Sequence, residues 1–272
     1  MKKGWKVFWI TSLVIACIGF VLCCTGIALG ATYQDLTIRF PNGIGYVDGN
    51  SVLWNNTEDE NATSIKAQEY QNITSIKAEI ASGILDVVEY DGTTIKVEST
   101  DSKNVVNVYL KGDNTLILKS KTNFIGNGYN SHTIIYLPKN IQLEKASFAI
   151  GAGEMTIENI NAATLSIEVG AGKATVNNSN SKDLKIECGA GEIEMYTTDT
   201  NEAEVECGIG KVGLTVAGMQ NDYNYNVECG IGSVTIGDNN YSGIGHDQKI
   251  NNGSNKQIDI NCGIGQVEVY FE

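Results

Sequence analysis

The chain has 272 residues and carries a net charge of −13, from 19 basic and 32 acidic side chains. That length allows one substantial domain and an attachment. With a single arginine, Arg39, and no basic patch, the composition argues against nucleic acid as a partner.

The N-terminus sets the topology. Val7 to Leu29 is an uncharged, apolar run of 23 residues, enough to span ~30 Å of hydrocarbon at about 1.5 Å per residue. Lys2, Lys3 and Lys6 precede it, and the first charge after it is Asp35. The positive-inside rule then puts the N-terminus in the cytoplasm and everything after Ala31 outside. A cleaved signal peptide would have a shorter apolar core. Val14-Ile15-Ala16-Cys17 resembles a lipobox, but the residues after Cys17 stay hydrophobic. Residues 1–30 therefore read as one transmembrane helix, seated in the cell membrane through residues 7–29. Residues 31–72 read as a juxtamembrane stalk, with a strand at Asp35–Phe40, a turn at Pro41-Asn42-Gly43 and a polar loop from Trp54 to Thr63.

Residues 73–272 read as an all-β domain of short strands divided by Asn, Asp, Gly and Ser turns. Its organising feature is one phrase repeated: Gly151-Ala152-Gly153, Gly170-Ala171-Gly172, Gly189-Ala190-Gly191 and Gly208-Ile209-Gly210, with first glycines 19 residues apart. Gly230-Ile231-Gly232 and Gly263-Ile264-Gly265 follow after steps of 22 and 33. A fixed period of this kind marks a solenoid, in which each repeat buries its apolar face against its neighbours. Before the first glycine the columns read Ile150, Val169, Cys188, Cys207, Cys229, Cys262 and, two positions earlier, Phe148, Ile167, Ile186, Val205, Val227, Ile260. This period-2 alternation continues beyond the glycines, so a strand enters and a strand leaves each Gly-x-Gly corner. A phosphate-binding loop would need a helix there. The column just past the corner alternates in sign, Glu154, Lys173, Glu192, Lys211, which favours in-register stacking of consecutive repeats. Ser75 to Val88, with Ile80 in the column before the glycines and Gly83 at the second glycine, is a degenerate copy. The final Val267–Phe271 stretch brings aromatics suited to capping the last rung.

The Ile80 to Val87 copy, the Ile135-Tyr136-Leu137-Pro138 phrase and the ordered corners together resemble the bacterial β-strand-repeat family known as putative adhesins, or toastrack domains. The likeness covers about residues 73–272 and extends to the extracytoplasmic domains of Lia-type envelope-stress proteins. It implies a right-handed β-helix-like fold and a role at the cell envelope, with no catalytic residues to carry over.

Candidate chemistry is sparse. The column Glu168, Glu187, Glu206, Glu228 would set carboxylates one strand spacing apart, ~4.8 Å. That suits a cation ladder, an acid/base pair or a solvated face that keeps a repetitive sheet soluble. His132 and His246 lack ligands at metal spacing, and neither a calcium phrase nor a nucleophile elbow is present. Cys188, Cys207, Cys229 and Cys262 repeat one inward column; disulfides between neighbouring rungs fit the distance and an outside compartment, yet Ile150 and Val169 fill the same column, where cysteine serves as a small hydrophobe. The insertion Gly237–Asn255 carries Tyr241, His246 and Asp247 among Gly and Asn, a composition suited to contact. The expectation is a non-enzymatic extracytoplasmic module for adhesion or envelope sensing, without cofactor or metal, that meets an envelope component or membrane protein. The alternative is a carbohydrate-active β-helix enzyme using acidic residues on one face, to be recognised by paired carboxylates beside aromatics that stack on sugar.

Overall fold

Each repeat turns its corner by laying backbone on backbone. A Cβ on Gly172 would lie 2.3 Å from the Gly153 carbonyl oxygen, and one on Gly191 2.3 Å from that of Gly172. No side chain fits at that distance, so the second glycine of each phrase is dictated by the stacking itself. The bonds Gly170 N–H to Ile150 O and Gly189 N–H to Val169 O, 2.9 and 2.8 Å, tie successive corners together. The middle residues, Ala152, Ala171 and Ala190, point out and are exposed.

The computed structural model describes residues 45–47, 50–52, 68–99, 106–112, 114–120, 131–241 and 245–272. The expected membrane segment at 7–29 lies outside these residues, and no described helix is long and apolar enough to cross a membrane. The described chain is all-β apart from one 3-10 turn at Gln220–Asp222. Between corners it runs as single bent strands, Lys173–Cys188 and Glu192–Cys207, so that each rung has an incoming and an outgoing arm. The arms stack as parallel neighbours in one open 16-stranded sheet. Their alternate side chains, such as Ala174, Val176, Ile186, Ile193 and Val205, are wholly buried between the arms.

The expected register holds through the regular repeats: Lys173 lies opposite both Glu154 and Glu192, and Glu192 opposite Lys211. The degenerate copy is a true rung. In Ser75–Tyr90, Ile80 sits opposite Ile150 and Gly83 opposite Gly153. A further rung, Thr115–Ser120 with His132–Pro138, packs on its other side.

Sequence order fails at the other end. Lys256–Cys262 pairs with Glu192–Cys207 on one side and Tyr223–Cys229 on the other. Gln266–Phe271 likewise lies between Lys211–Val216 and Ser233–Ile236. The last repeat in sequence is therefore an inner rung, and the outermost is 223–236. Phe271 does not cap the stack. It packs at 6.3 and 6.4 Å from the rings of Tyr223 and Tyr225, which are buried in the outer rung.

At both ends the parallel stack finishes on antiparallel strands. Val106–Lys111 and Ile95–Ser99 cover one end. His246–Ile250 and Asn239–Asn240, both from the 237–255 insertion, cover the other. Gln68–Tyr70, within the segment read as stalk, pairs with Ile95–Ser99, while Gly45–Val47 and Asn50–Val52 form a separate hairpin.

Hydroxyls line the return turns opposite the corners. Ser179 donates to Thr198 at 3.2 Å and Thr200 to the Glu202 carbonyl at 3.0 Å. The buried Ser181 hydroxyl, which lies between Ala162 and Thr200, has no hydrogen-bond partner. Ser181→Ala should therefore stabilise the fold by about 0.5–1 kcal/mol, because it removes an unpaired buried group from a column that already accepts alanine. The midpoint of thermal unfolding should rise by a few degrees; a fall would show that the hydroxyl is satisfied.

Candidate functional site

The incoming arms present the acidic face that the sequence suggested. Glu168 lies opposite Glu187, and Glu187 opposite Glu206. The expected step from Glu206 to Glu228 is broken, because the inserted rung places Asn261 between them. The antiparallel cap then sets Asp247 opposite Glu228, so one residue of the insertion joins the acidic row. Lys185 stands in the adjacent column and reaches Glu187 at 2.7 Å, Glu204 at 3.8 Å and Glu206 at 3.9 Å. Partial burial, opposed by Lys185, pushes the Glu206 carboxyl above the usual range. This is a half-exposed network of compensated charges, worth little individually. Among the described residues no His, Cys, Asp or Glu cluster is arranged to hold a metal ion.

The rest of the insertion is placed as follows. Asp247 is exposed. Tyr241 packs against the core, its N–H donating to the Val234 carbonyl at 2.7 Å, and burial raises its phenol above the ordinary range. The backbone of His246 pairs with Cys229.

The outgoing arms carry a cluster that the sequence reading missed. Gly213 lies in register between Glu194 and Glu268. The Glu194 carboxylate fills the space above it, 2.0 Å from where a Cβ would stand. Lys211 bridges the two carboxylates, 3.0 Å from Glu194 and 3.4 Å from Glu268, and their side chains are only 18% and 22% exposed. The hydrogen bond to Glu194 holds the Lys211 amine above the usual lysine range. A glycine inside a strand signals close approach of another group, and Gly213 stands where other repeats carry Thr156, Thr175 and Glu194.

One corner ridge is apolar. The alanines of the earlier corners give way to Ile209, Ile264 and Ile231, which stack on successive rungs and are 65%, 48% and 64% exposed. The bonds from Ile264 N–H to Gly208 O and from Ile231 N–H to Gly263 O, both 2.8 Å, hold them in line.

Residues 137–269 match the family Toastrack DUF4097. The matched stretch is a toastrack domain. The match begins at Leu137, yet the structure stacks Ser75–Tyr90 into the same solenoid. Solved structures similar to it include a putative cell adhesion protein from Clostridium sporogenes, at 14% identity and a TM-score of 0.41, covering 77% of this chain and 100% of that one. A putative adhesin from Bacteroides fragilis shares 14% identity at a TM-score of 0.46, over 77% and 98%. A putative lipid binding protein from Parabacteroides distasonis shares 13% at 0.33, over 75% and 96%. No curated protein matches the chain.

The toastrack core accounts for the histidine and the cysteines. His132 Nε2 lies 2.7 Å from Asp86 Oδ2, a partner on the neighbouring strand that the sequence does not place beside it. The preceding Ser131 donates to the Ser82 carbonyl at 3.0 Å. The four thiols stack in the rung order Cys188, Cys207, Cys262, Cys229, buried and unbridged. The Cys188 thiol is raised by its hydrogen bond with Cys207 and by burial, and that of Cys229 by burial. Cys207 is pushed up to about 11: the bond with Cys188 lowers it, but the bond with Cys262 and burial outweigh this. Protonated, enclosed thiols are poor nucleophiles. Iodoacetamide should leave peptides containing these four cysteines unmodified in native protein and label all four after unfolding. Labelling of native protein would show that the corner opens.

Proposed function

We propose that this chain is a non-enzymatic cell-envelope protein, anchored by a single transmembrane helix at residues 7–29 with its N-terminus in the cytoplasm. Its toastrack domain, a right-handed β-helix-like solenoid reached through the stalk at 31–72, stands outside the membrane. There it works in adhesion or envelope sensing by binding an envelope component or a membrane-protein partner. The observation that carries this reading is the ridge of Ile209, Ile264 and Ile231. Three stacked, largely exposed isoleucines on an acidic domain bring no packing benefit to the fold, and a contiguous apolar patch is characteristic of an interaction surface.

Protease added to intact protoplasts should remove the toastrack domain; a protected domain would overturn the topology. Replacing the three isoleucines by alanine, which the earlier corners already carry, should preserve the melting curve. It should also release the full-length protein from the envelope complexes captured by crosslinking. An unchanged crosslinking pattern would overturn the role of the ridge.

A further inference from the structure

The register puts Cys188, Cys207, Cys262 and Cys229 on four successive rungs, each directly opposite the next. Each thiol hydrogen-bonds to its neighbour in that order, so the sulfurs form one continuous row. Corner carbonyls face them: Cys188 donates to the Gly191 oxygen and Cys207 to the Gly210 oxygen, both at 3.1 Å. A shallow groove runs along the corner, lined by the bare glycines Gly191, Gly210, Gly265 and Gly232 and by the isoleucine ridge. A Cβ on Gly210 would stand 2.6 Å from the Cys188 sulfur, one on Gly265 2.6 Å from that of Cys207, and one on Gly232 2.8 Å from that of Cys262. Three of the four sulfurs therefore lie against the same glycines that line the groove, and glycine interposes no side chain.

We propose that this row binds copper(I), each ion held in line between the sulfurs of two neighbouring rungs. Thiolate is a soft ligand and selects soft ions. Among the described residues no three His, Cys, Asp or Glu side chains converge to hold a metal ion, which rules out tetrahedral zinc and iron–sulfur clusters there. Copper(I) needs only a pair, because a monovalent ion with a filled d shell accepts two thiolates in line. Two metal–sulfur bonds of ~2.3 Å end to end span ~4.6 Å, close to the ~4.8 Å between neighbouring strands. A disulfide fits less well, since side chains parallel in one column do not offer its ~90° torsion. Each ion displaces two thiol protons, which leave to solvent, and the pair becomes a bis(thiolate) with one net negative charge. Four sulfurs in a row hold two such ions without sharing a sulfur.

The inference is independent of the membrane topology and of the role of the ridge. Full-length protein in detergent, with Cys17, Cys23 and Cys24 replaced by alanine so that only the row carries thiols, is titrated with copper(I) in the absence of oxygen. Bicinchoninate serves as the coloured competitor. Two ions per chain are expected, with a rise in the melting midpoint. Cys207→Val with Cys262→Val leaves two thiols that are not neighbours and should abolish binding. Cys188→Val with Cys229→Val leaves as many thiols, but adjacent ones, and should keep one ion. Valine already stands in this column at Val169, so both variants should melt without copper as the parent does. A second readout needs no substitution in the row. Cys207, pushed up to about 11, is protonated well above neutral pH, and with two protons released per ion the affinity should rise about a hundredfold from pH 6 to pH 7. Failure to take copper from bicinchoninate would overturn the proposal. So would equal stoichiometry in the two double variants, an affinity that does not change with pH, or disulfide formation in place of copper uptake.

Discussion

Gly191→Ala is expected to destabilise the toastrack domain by about 3 kcal/mol, at the upper end of overpacking effects and enough to remove much of a typical domain's stability. The new methyl would begin 2.3 Å from the Gly172 carbonyl oxygen and 2.6 Å from a Val169 methyl. The first is backbone held in a parallel ladder on both sides, so relief requires two rungs to part at the corner. Moving the carbonyl would also disturb its bond from the Glu192 N–H, 2.9 Å. The adjacent substitution is the control. Ala190→Ile adds more volume, but it points outward at a position where Ile209, Ile264 and Ile231 already stand. It should change stability by no more than about 0.5 kcal/mol. Urea unfolding of both variants checks the pair. Equal midpoints would mean that the corner is soft and that glycine recurs there for another reason.

Much of this architecture was legible because its determinants are local. Glycine before an outward residue and a second glycine states the corner, and the alternation from Phe148 to Ile150 or Met155 to Ile157 states which side chains are buried. Ile80 and Gly83 could be placed in their columns without the regular period for the same reason. The order of the last rungs was not legible. Val227 and Ile260, Cys229 and Cys262, Val234 and Val267, and Ile236 and Val269 are equivalent pairs. Inward patterning therefore cannot tell which rung docks on Glu192–Cys207. The choice lies in connections: the link through Gln220–Asp222 leads to the outer rung, beyond the position that Lys256–Cys262 fills, and the 237–255 insertion has length enough to cap the edge and return. The outgoing-face cluster was hidden by the same event, since Glu268 meets Gly213 and Glu194 only because the final rung is inserted. Gly213 was the available signal. A glycine at an outward position in the middle of a strand has no corner to turn, and its purpose is the carboxylate above it.

That inserted rung yields the largest expected effect. Removing residues 256–272 should abolish the ordered C-terminal end of the stack while leaving the rungs up to Val216 folded. The deletion takes out Ile258, Ile260, Cys262, Val267 and Val269, all buried between neighbours on both sides. At ~1.5–3 kcal/mol for each fully buried aliphatic side chain, the loss is on the order of 10 kcal/mol, comparable with the whole stability of a domain. It also strips the Phe271 ring from Tyr223 and Tyr225. A solenoid answers to nearest neighbours, so the damage should stay local. Hydrogen exchange on the truncated chain should show residues 223–250 exchanging rapidly and 143–207 protected as before. The competing outcome follows from the matched columns: rung 223–236 could close directly onto 200–216, with Cys229 beside Cys207 and Val227 beside Val205. Protection of 223–229 equal to that in the full chain would establish this re-stacking. The native order would then be a choice between two nearly equivalent stacks, made by the long insertion.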